Sequence, residues 1–395
     1  MDEVVFAQTM RFLSRLVATP SAYPPGDTRN VCAYLAQLLA EWGYTTQILS
    51  RNPAIANVVA TMGVGTPQLA FNCHIDTVGV GDAAAWQSDP FAAEVRHGRV
   101  FGLGANNCKG PAASQLWIAE RIARQGGPAI GSVVFTFVGD EEALGPDGTA
   151  FLREEKYLAP DMLVVGAQTE NALITRERGV TWIEVVAHGK AAHAGQPAGG
   201  DNAIMRMARL LCHLEKTLLP AVAARTADGL QSTVSVGTIR GGTNINVVPS
   251  SCTAAIDRRL LPVGETIDTA MQEIRSVLAG AGEPEGSFAV RRLTGTNGFA
   301  APQGGPLVSA FSAAIESVSG RAARFVDSVG AFDGRFFADD GIEIVNFGPG
   351  EGHEGHKSNE SLPADQLAES GLIQLRMVEN LLGLKRRAED PRRSA

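Results

Sequence analysis

The run SVVFTFV (132–138) is apolar almost throughout and stops abruptly at the acids of GDEE (139–142). QLAFNC (68–73) behaves the same way and ends at His74 and Asp76. Neither run alternates as a half-exposed strand would, so both predict strands buried on two faces, and LVVGAQ (163–168) repeats the pattern. Residues 4–18, 29–43 and 110–125 carry helical spacing of apolar residues, and a pattern of strands and helices implies a mostly parallel sheet covered by helices. In such sheets the polar residues following the strand ends line the ligand crevice.

Between about 180 and 293 the rhythm changes to β-α-β-β-α-β, a split-βαβ module inserted into the larger domain. The expected organisation is a catalytic domain over 1–178 and 295–384, an inserted domain over 179–294, and a charged tail, 385–395. A chain of 395 residues is comfortable as two domains, and 45% hydrophobic with 19% charged residues excludes disorder as the main state. The net charge of −8 argues against nucleic-acid or anionic-membrane binding, whose footprint is basic. Five scattered cysteines without a C-x-x-C pair suit a reducing compartment. The N-terminus reads as an amphipathic helix and not a signal peptide, and no apolar stretch is long enough to span a membrane. The expectation is a cytoplasmic protein.

Four segments could carry chemistry. In HID (74–76), His74 and Asp76 point to one side of a strand end, as a metal-bound histidine and its orienting carboxylate would, or as a satisfied polar pair. Consecutive carboxylates in GDEE repel one another; a cation or a held proton would relieve this, and the macrodipole at a helix N-terminus would also favour such acids. GPGEGHEGHKSNE (348–360) places His353, His356 and Glu360 in a glycine-rich loop, which could equally be solvated. His193, in GKAAHAGQP (189–197), would be structural unless its domain meets the crevice.

In order, H-I-D, G-x-G-A-x-x-x-K-G, G-D-E-E, G-K-A-A-H, G-G-T-x-x-N-x-x-P, D-x-R-x-x-P and H-x-x-N-E resemble the di-zinc aminoacylase/carboxypeptidase family. That family includes acetylornithine deacetylase, succinyl-diaminopimelate desuccinylase and glutamate carboxypeptidase. The resemblance spans nearly the whole chain and implies a zinc-exopeptidase-like sheet with an inserted ferredoxin-like lid/dimerisation domain. It implies that His74 binds one zinc with Asp76 orienting it, that Glu141 is the general base, and that Glu142 and His356 bind the other zinc. His193 and Asn246 would stabilise the oxyanion, the histidine coming from a partner subunit, and Arg259 would grip a substrate carboxylate. A homodimer through the inserted domain is implied, with STVSVGTIRGG (232–242) as the candidate partner strand. The activity implied is hydrolysis of an amide next to a carboxylate, in amino-acid metabolism.

Two positions depart from the family. Asn107 stands where an aspartate bridges both zincs, and Ala167 stands where an acid binds one. An amide bridges two cations poorly and alanine cannot ligate, so the expectation is one zinc per chain at most, or none. Glu170, Cys108 and His353 are conceivable replacements. Three readings stay open: a single-metal amidohydrolase; a metal-depleted scaffold doing cyclisation, amide formation or elimination by proton transfer; and a catalytically dead binding protein.

Overall fold

The computed structural model describes residues 2–328 and 330–385; the expected charged tail falls, apart from Lys385, outside these residues. The chain divides into two compact units. The first contains the residues up to Thr175, Ala301–Val326 and those from Phe332 onward, and the second contains Arg176–Ala300 and Asp327–Ala331.

In the first unit the sheet is parallel in its middle. Glu343–Phe347, Met162–Gly166, Gln68–His74 and Ser132–Val138 lie side by side in that order, all pointing the same way. Asn57–Gly63 and then Thr45–Leu49 continue the sheet antiparallel. Ile174 pairs antiparallel with Asn346 on the other side. The parallel strands are buried almost from end to end, Ser132–Val138 entirely, which explains their unbroken apolar runs. Phe71 and Phe135 stack across neighbouring strands with centroids 4.8 Å apart. Burial of each ring contributes roughly 1.5–3 kcal/mol.

The helices Glu3–Val17, Gly110–Arg124, Pro306–Ser319 and Ala364–Leu382 pack on one another and share this core. Asp2 starts the first of them by accepting the Val4 and Val5 N–H groups, both at 3.0 Å. Because the middle strands are parallel, His74, the GDEE turn, Ala167 and the loop after Phe347 all emerge at one edge of the sheet.

The second unit holds an antiparallel sheet ordered Thr233–Gly241, Ser251–Leu260, Gly179–His188, Phe288–Thr296. Ile183, Val185, Ala187, Ala254 and Ile256 face the helices Ala203–Ala223 and Ile267–Gly280 in its core. The intervening residues, among them Trp182, Glu184 and Asp257, face the opposite side. Arg258 is fully buried and bonded to Glu265 at 2.6 Å and Glu273 at 3.3 Å. It fastens the sheet to the segment that opens the second helix. Among the described residues, no helix is long and apolar enough to cross a membrane.

Candidate metal centre

His74 closes its strand and is buried at 4% exposure. Its Nδ1 lies 3.1 Å from the Asp76 carbonyl oxygen and 3.5 Å from Asp76 Oδ1. Asp76 is wholly buried; its Oδ2 accepts the Glu142 N–H at 3.1 Å, while Oδ1 has no hydrogen-bond partner among the described residues. Asp76 therefore ties the HID strand end to the GDEE turn.

Of the three GDEE acids, Asp140 turns away from the other two. Asp140 takes a left-handed φ of 70° and turns its Oδ2 to the Asp147 N–H at 2.9 Å, closing its own loop. No helix begins there; the next starts at Thr149. Glu141 and Glu142 turn toward His74, and donor atoms of these three residues all lie within 4.8 Å of one another. Glu141 Oε2 is 3.7 Å from His74 Nε2. Burial pushes the Glu141 carboxyl up to about 7, against the opposing pull of His74. Burial alone would depress His74, but the Glu141 charge helps hold it well above its ordinary value.

Asn107 sits at the middle. Its Oδ1 is 3.3 Å from His74 Nε2, and its Nδ2 is 2.8 Å from Glu142 Oε1 and 2.9 Å from His356 Nε2. Glu142 Oε1 and His356 Nε2 are themselves 3.0 Å apart. The bond to Glu142 raises the pKa of His356. His356 adopts φ 64° in its glycine-rich loop, which turns the imidazole back toward Glu142.

The loop bearing Asn107 is fixed from behind by Glu360. One carboxylate oxygen accepts the N–H groups of Asn106 at 2.9 Å and Asn107 at 2.8 Å, and the other accepts that of Gly104 at 3.0 Å. Burial nevertheless raises Glu360 to about 7. Lys109, almost wholly buried, bonds the Thr19 carbonyl at 2.9 Å, and its pKa is lowered by burial to about 8.

The conceivable replacement ligands are engaged elsewhere. Cys108 Sγ bonds the Gly166 carbonyl at 3.2 Å, Glu170 lies 3.4 Å from Arg324, and His353, 73% exposed, pairs with Glu354 at 3.3 Å. Ala167 is buried in the segment leaving its strand.

Sequence reasoning passed over Asp333 and Arg335. Both are buried, and their charges act on Glu141 in opposite directions, the aspartate raising its pKa and the arginine lowering it. Asp333 Oδ2 accepts the Thr149 hydroxyl at 2.7 Å. The only signal was an acid and a base two apart in DGRFF, which reads as a surface turn.

His193, Asn246 and Arg259 belong to the second unit. His193 and Asn246 lie on adjoining segments: Ala194 N–H bonds the Asn246 carbonyl at 3.0 Å, and His193 pairs with Val247. His193 is exposed, its Nδ1 accepting the Gly195 N–H at 3.0 Å. Arg259 Nε bonds Asp257 at 2.9 Å, and its terminal nitrogens have no hydrogen-bond partner among the described residues.

Residues 70–380 match the family model "Peptidase family M20/M25/M40". A succinyl-diaminopimelate desuccinylase from Parvibaculum lavamentivorans is 30% identical over 343 residues, covering 81% of this chain and 82% of that protein. Among solved structures, the M20 family metallo-carboxypeptidase Sso-CP2 from Sulfolobus solfataricus has a TM-score of 0.74 at 16% identity, covering 95% of this chain and 99% of that one. The Bacillus subtilis YXEP protein, described as a dinuclear metal binding peptidase, has a TM-score of 0.72 at 16% identity, with 97% and 100% covered.

Proposed function

The chain belongs to peptidase family M20/M25/M40, and from that premise we propose that it hydrolyses the amide bond of an N-acyl amino acid or small peptide bearing a free carboxylate. The relatives are desuccinylases and peptidases, which supports hydrolysis. Neither the repurposed scaffold nor the dead binding protein gains comparable support.

Enzymes of this family are metal-dependent, and the residues here fit a cation. The observation that carries the reading is the triangle of side-chain atoms from Asn107, Glu142 and His356, with edges of 2.8, 2.9 and 3.0 Å, beside the nearly buried carboxyl of Glu141. With its amide turned so that Oδ1 takes the place of Nδ2, Asn107 would join Glu142 and His356 in holding one ion, zinc by their nitrogen and oxygen donors, and His74 is the donor nearest a second position. When bound, the ion polarises the amide carbonyl and makes water acidic near neutral pH.

Glu141 takes the proton from the attacking water and hands it to the leaving nitrogen as the C–O bond forms and the C–N bond breaks. A carboxyl poised near 7 suits both transfers. Asp76 holds His74 and the turn carrying Glu142 in register. His193 and Asn246, adjoining in the second unit, would donate to the developing oxyanion, with His193 reaching the site of a partner subunit. The terminal nitrogens of Arg259 would bind the substrate carboxylate.

A homodimer would form along Thr233–Gly241, an edge strand largely exposed from Ser235 onward, with Ile239 52% exposed. The free thiols Cys32, Cys73 and Cys108 suit the cytoplasm.

The test is amine release from a panel of N-acetyl and N-succinyl amino acids and dipeptides, each beside its carboxamide-capped analogue. Cleavage of free-acid members and not of capped ones is expected. Cleavage of both alike would remove the role given to Arg259, and cleavage of none would remove the reading.

A further inference from the structure

We infer that this chain binds a single divalent cation, held by Glu142, His356 and the side-chain oxygen of Asn107, and that His74 serves as a hydrogen-bond partner of Asn107 and not as a ligand. The inference rests on the metal-dependent reading above and departs from the dinuclear relative.

A carboxylate at this place can offer one oxygen to each of two cations. Asn107 faces both halves of the centre, toward His74 on one side and toward Glu142 and His356 on the other. Its amide has one oxygen and one NH2 group, and the NH2 group donates only. Whichever half receives the oxygen, the other receives N–H groups, which repel a cation. Asn107 can therefore serve a cation in one half only, with its N–H groups facing the other.

The amide has no route around this constraint by moving. Glu360 holds the backbone N–H groups of Gly104, Asn106 and Asn107, so the main chain carrying the amide is fixed while the amide can exchange its two ends by rotation. Rotation by half a turn aims the oxygen at the gap between Glu142 and His356. It leaves the NH2 group facing His74 Nε2, on the side where a second cation would have to sit.

The His74 half cannot compete. Asn72 pairs with Val165, and past the end of that neighbouring strand at Gly166 comes Ala167. The side chain there is a buried methyl group. Cys108, Glu170 and His353 are bonded elsewhere. What remains within reach of His74 is Glu141, at 3.7 Å, and Glu142, with donor atoms of all three within 4.8 Å of one another. A cation held by His74, Glu141 and Glu142 would occupy the one carboxylate free to move protons.

Zinc content separates these arrangements without reference to activity. Each variant is stripped with chelator, dialysed against zinc and analysed for zinc per chain, with affinity measured by calorimetric titration. Wild type should hold one zinc. His356→Ala should lose it, while His74→Ala should keep one with affinity changed by less than about tenfold, the lower end of what loss of a supporting partner costs. Asn107→Asp combined with Ala167→Glu should hold two. Two zincs in wild type, or loss of zinc in His74→Ala with retention in His356→Ala, would overturn the inference. Amine release followed in parallel separates failure of this inference from failure of the hydrolytic reading. A wild type with two zincs that still cleaves an N-acyl amino acid removes the single-cation inference and leaves hydrolysis intact.

Discussion

Glu142 Oε1 and His356 Nε2 lie 3.0 Å apart although 214 positions separate them in the chain. The parallel middle of the sheet makes this possible. Ser132–Val138 delivers the GDEE turn and Glu343–Phe347 delivers the glycine-rich loop at the same edge, with His74 ending a strand between them. Glutamate and imidazole at that spacing are suited either to a mutual hydrogen bond or to sharing a cation, and the nearly buried Glu141 beside them is the carboxylate proposed as the base.

Glu141→Gln removes the proposed proton carrier while preserving shape. Turnover should fall by at least about 10²–10⁴-fold. Zinc content should stay unchanged, and the thermal midpoint should not fall, because a buried carboxyl already held at about 7 is replaced by a neutral amide. Single-turnover kinetics with thermal unfolding checks this; an active variant would reassign the base.

The two units should respond to pH with opposite signs. Glu265 is held down to about 2: burial opposes this, but bonds from Ser232, the Leu261 N–H, Arg225 and Arg258 prevail. Its contribution is complete above the ordinary carboxylate value near 4.5 and is lost as pH falls toward about 2. Glu360, raised by burial to about 7, contributes most below 4.5 and progressively less as pH rises through 7. In zinc-free protein, Glu265→Gln should flatten the acid limb of the stability profile and Glu360→Gln the limb between 4.5 and 7. Thermal unfolding across pH reads both; unaltered limbs would contradict the assignments.

Gly104→Ala should damage the centre without touching a ligand. Gly104 has φ 74°, and a Cβ there would collide with Thr77 Cγ2 and press on Lys109 Cδ. The left-handed backbone alone costs about 1–2 kcal/mol for a non-glycine residue. The loop carrying Asn107 must shift, so zinc should bind at least about tenfold more weakly. Unchanged zinc affinity by titration would show that the loop is not held as described.

His193→Ala and Glu141→Gln should each be nearly inactive alone. If the histidine acts across a dimer, mixing the two variants under exchanging conditions should recover about a quarter of wild-type activity, since a random mixture is half heterodimer with one complete site of two. Sedimentation should show a dimer. A monomer, or no recovery on mixing of exchanging dimers, would remove the role in trans.

Much of this arrangement was legible in the chain. The buried middle strands announced themselves through unbroken apolar runs, and the polar residues at their ends marked where His74, Glu141, Glu142 and His356 converge. Strand direction was less legible: Asn57–Gly63 carries an apolar run like its parallel neighbours but runs antiparallel, because direction is set by the connections between strands and not by side-chain pattern. His74, Glu141, Glu142 and His356 stood out by residue type. Glu360 did not stand out as an anchor, since its partners are backbone N–H groups presented by a turn at Gly104. Asp333 and Arg335 look like residues of an exposed turn until packing beside Thr149 buries them.

The central claim is metal-dependent hydrolysis of an amide beside a carboxylate. The most direct measurement is the release of free amine from N-acyl amino acids and dipeptides by zinc-loaded protein, by chelator-stripped protein and by the same sample after zinc is restored. The expected result is stoichiometric release of amine and acid that disappears on stripping and returns with zinc. Release that survives complete removal of metal, or no release from any such substrate by the zinc-loaded protein, would contradict the account.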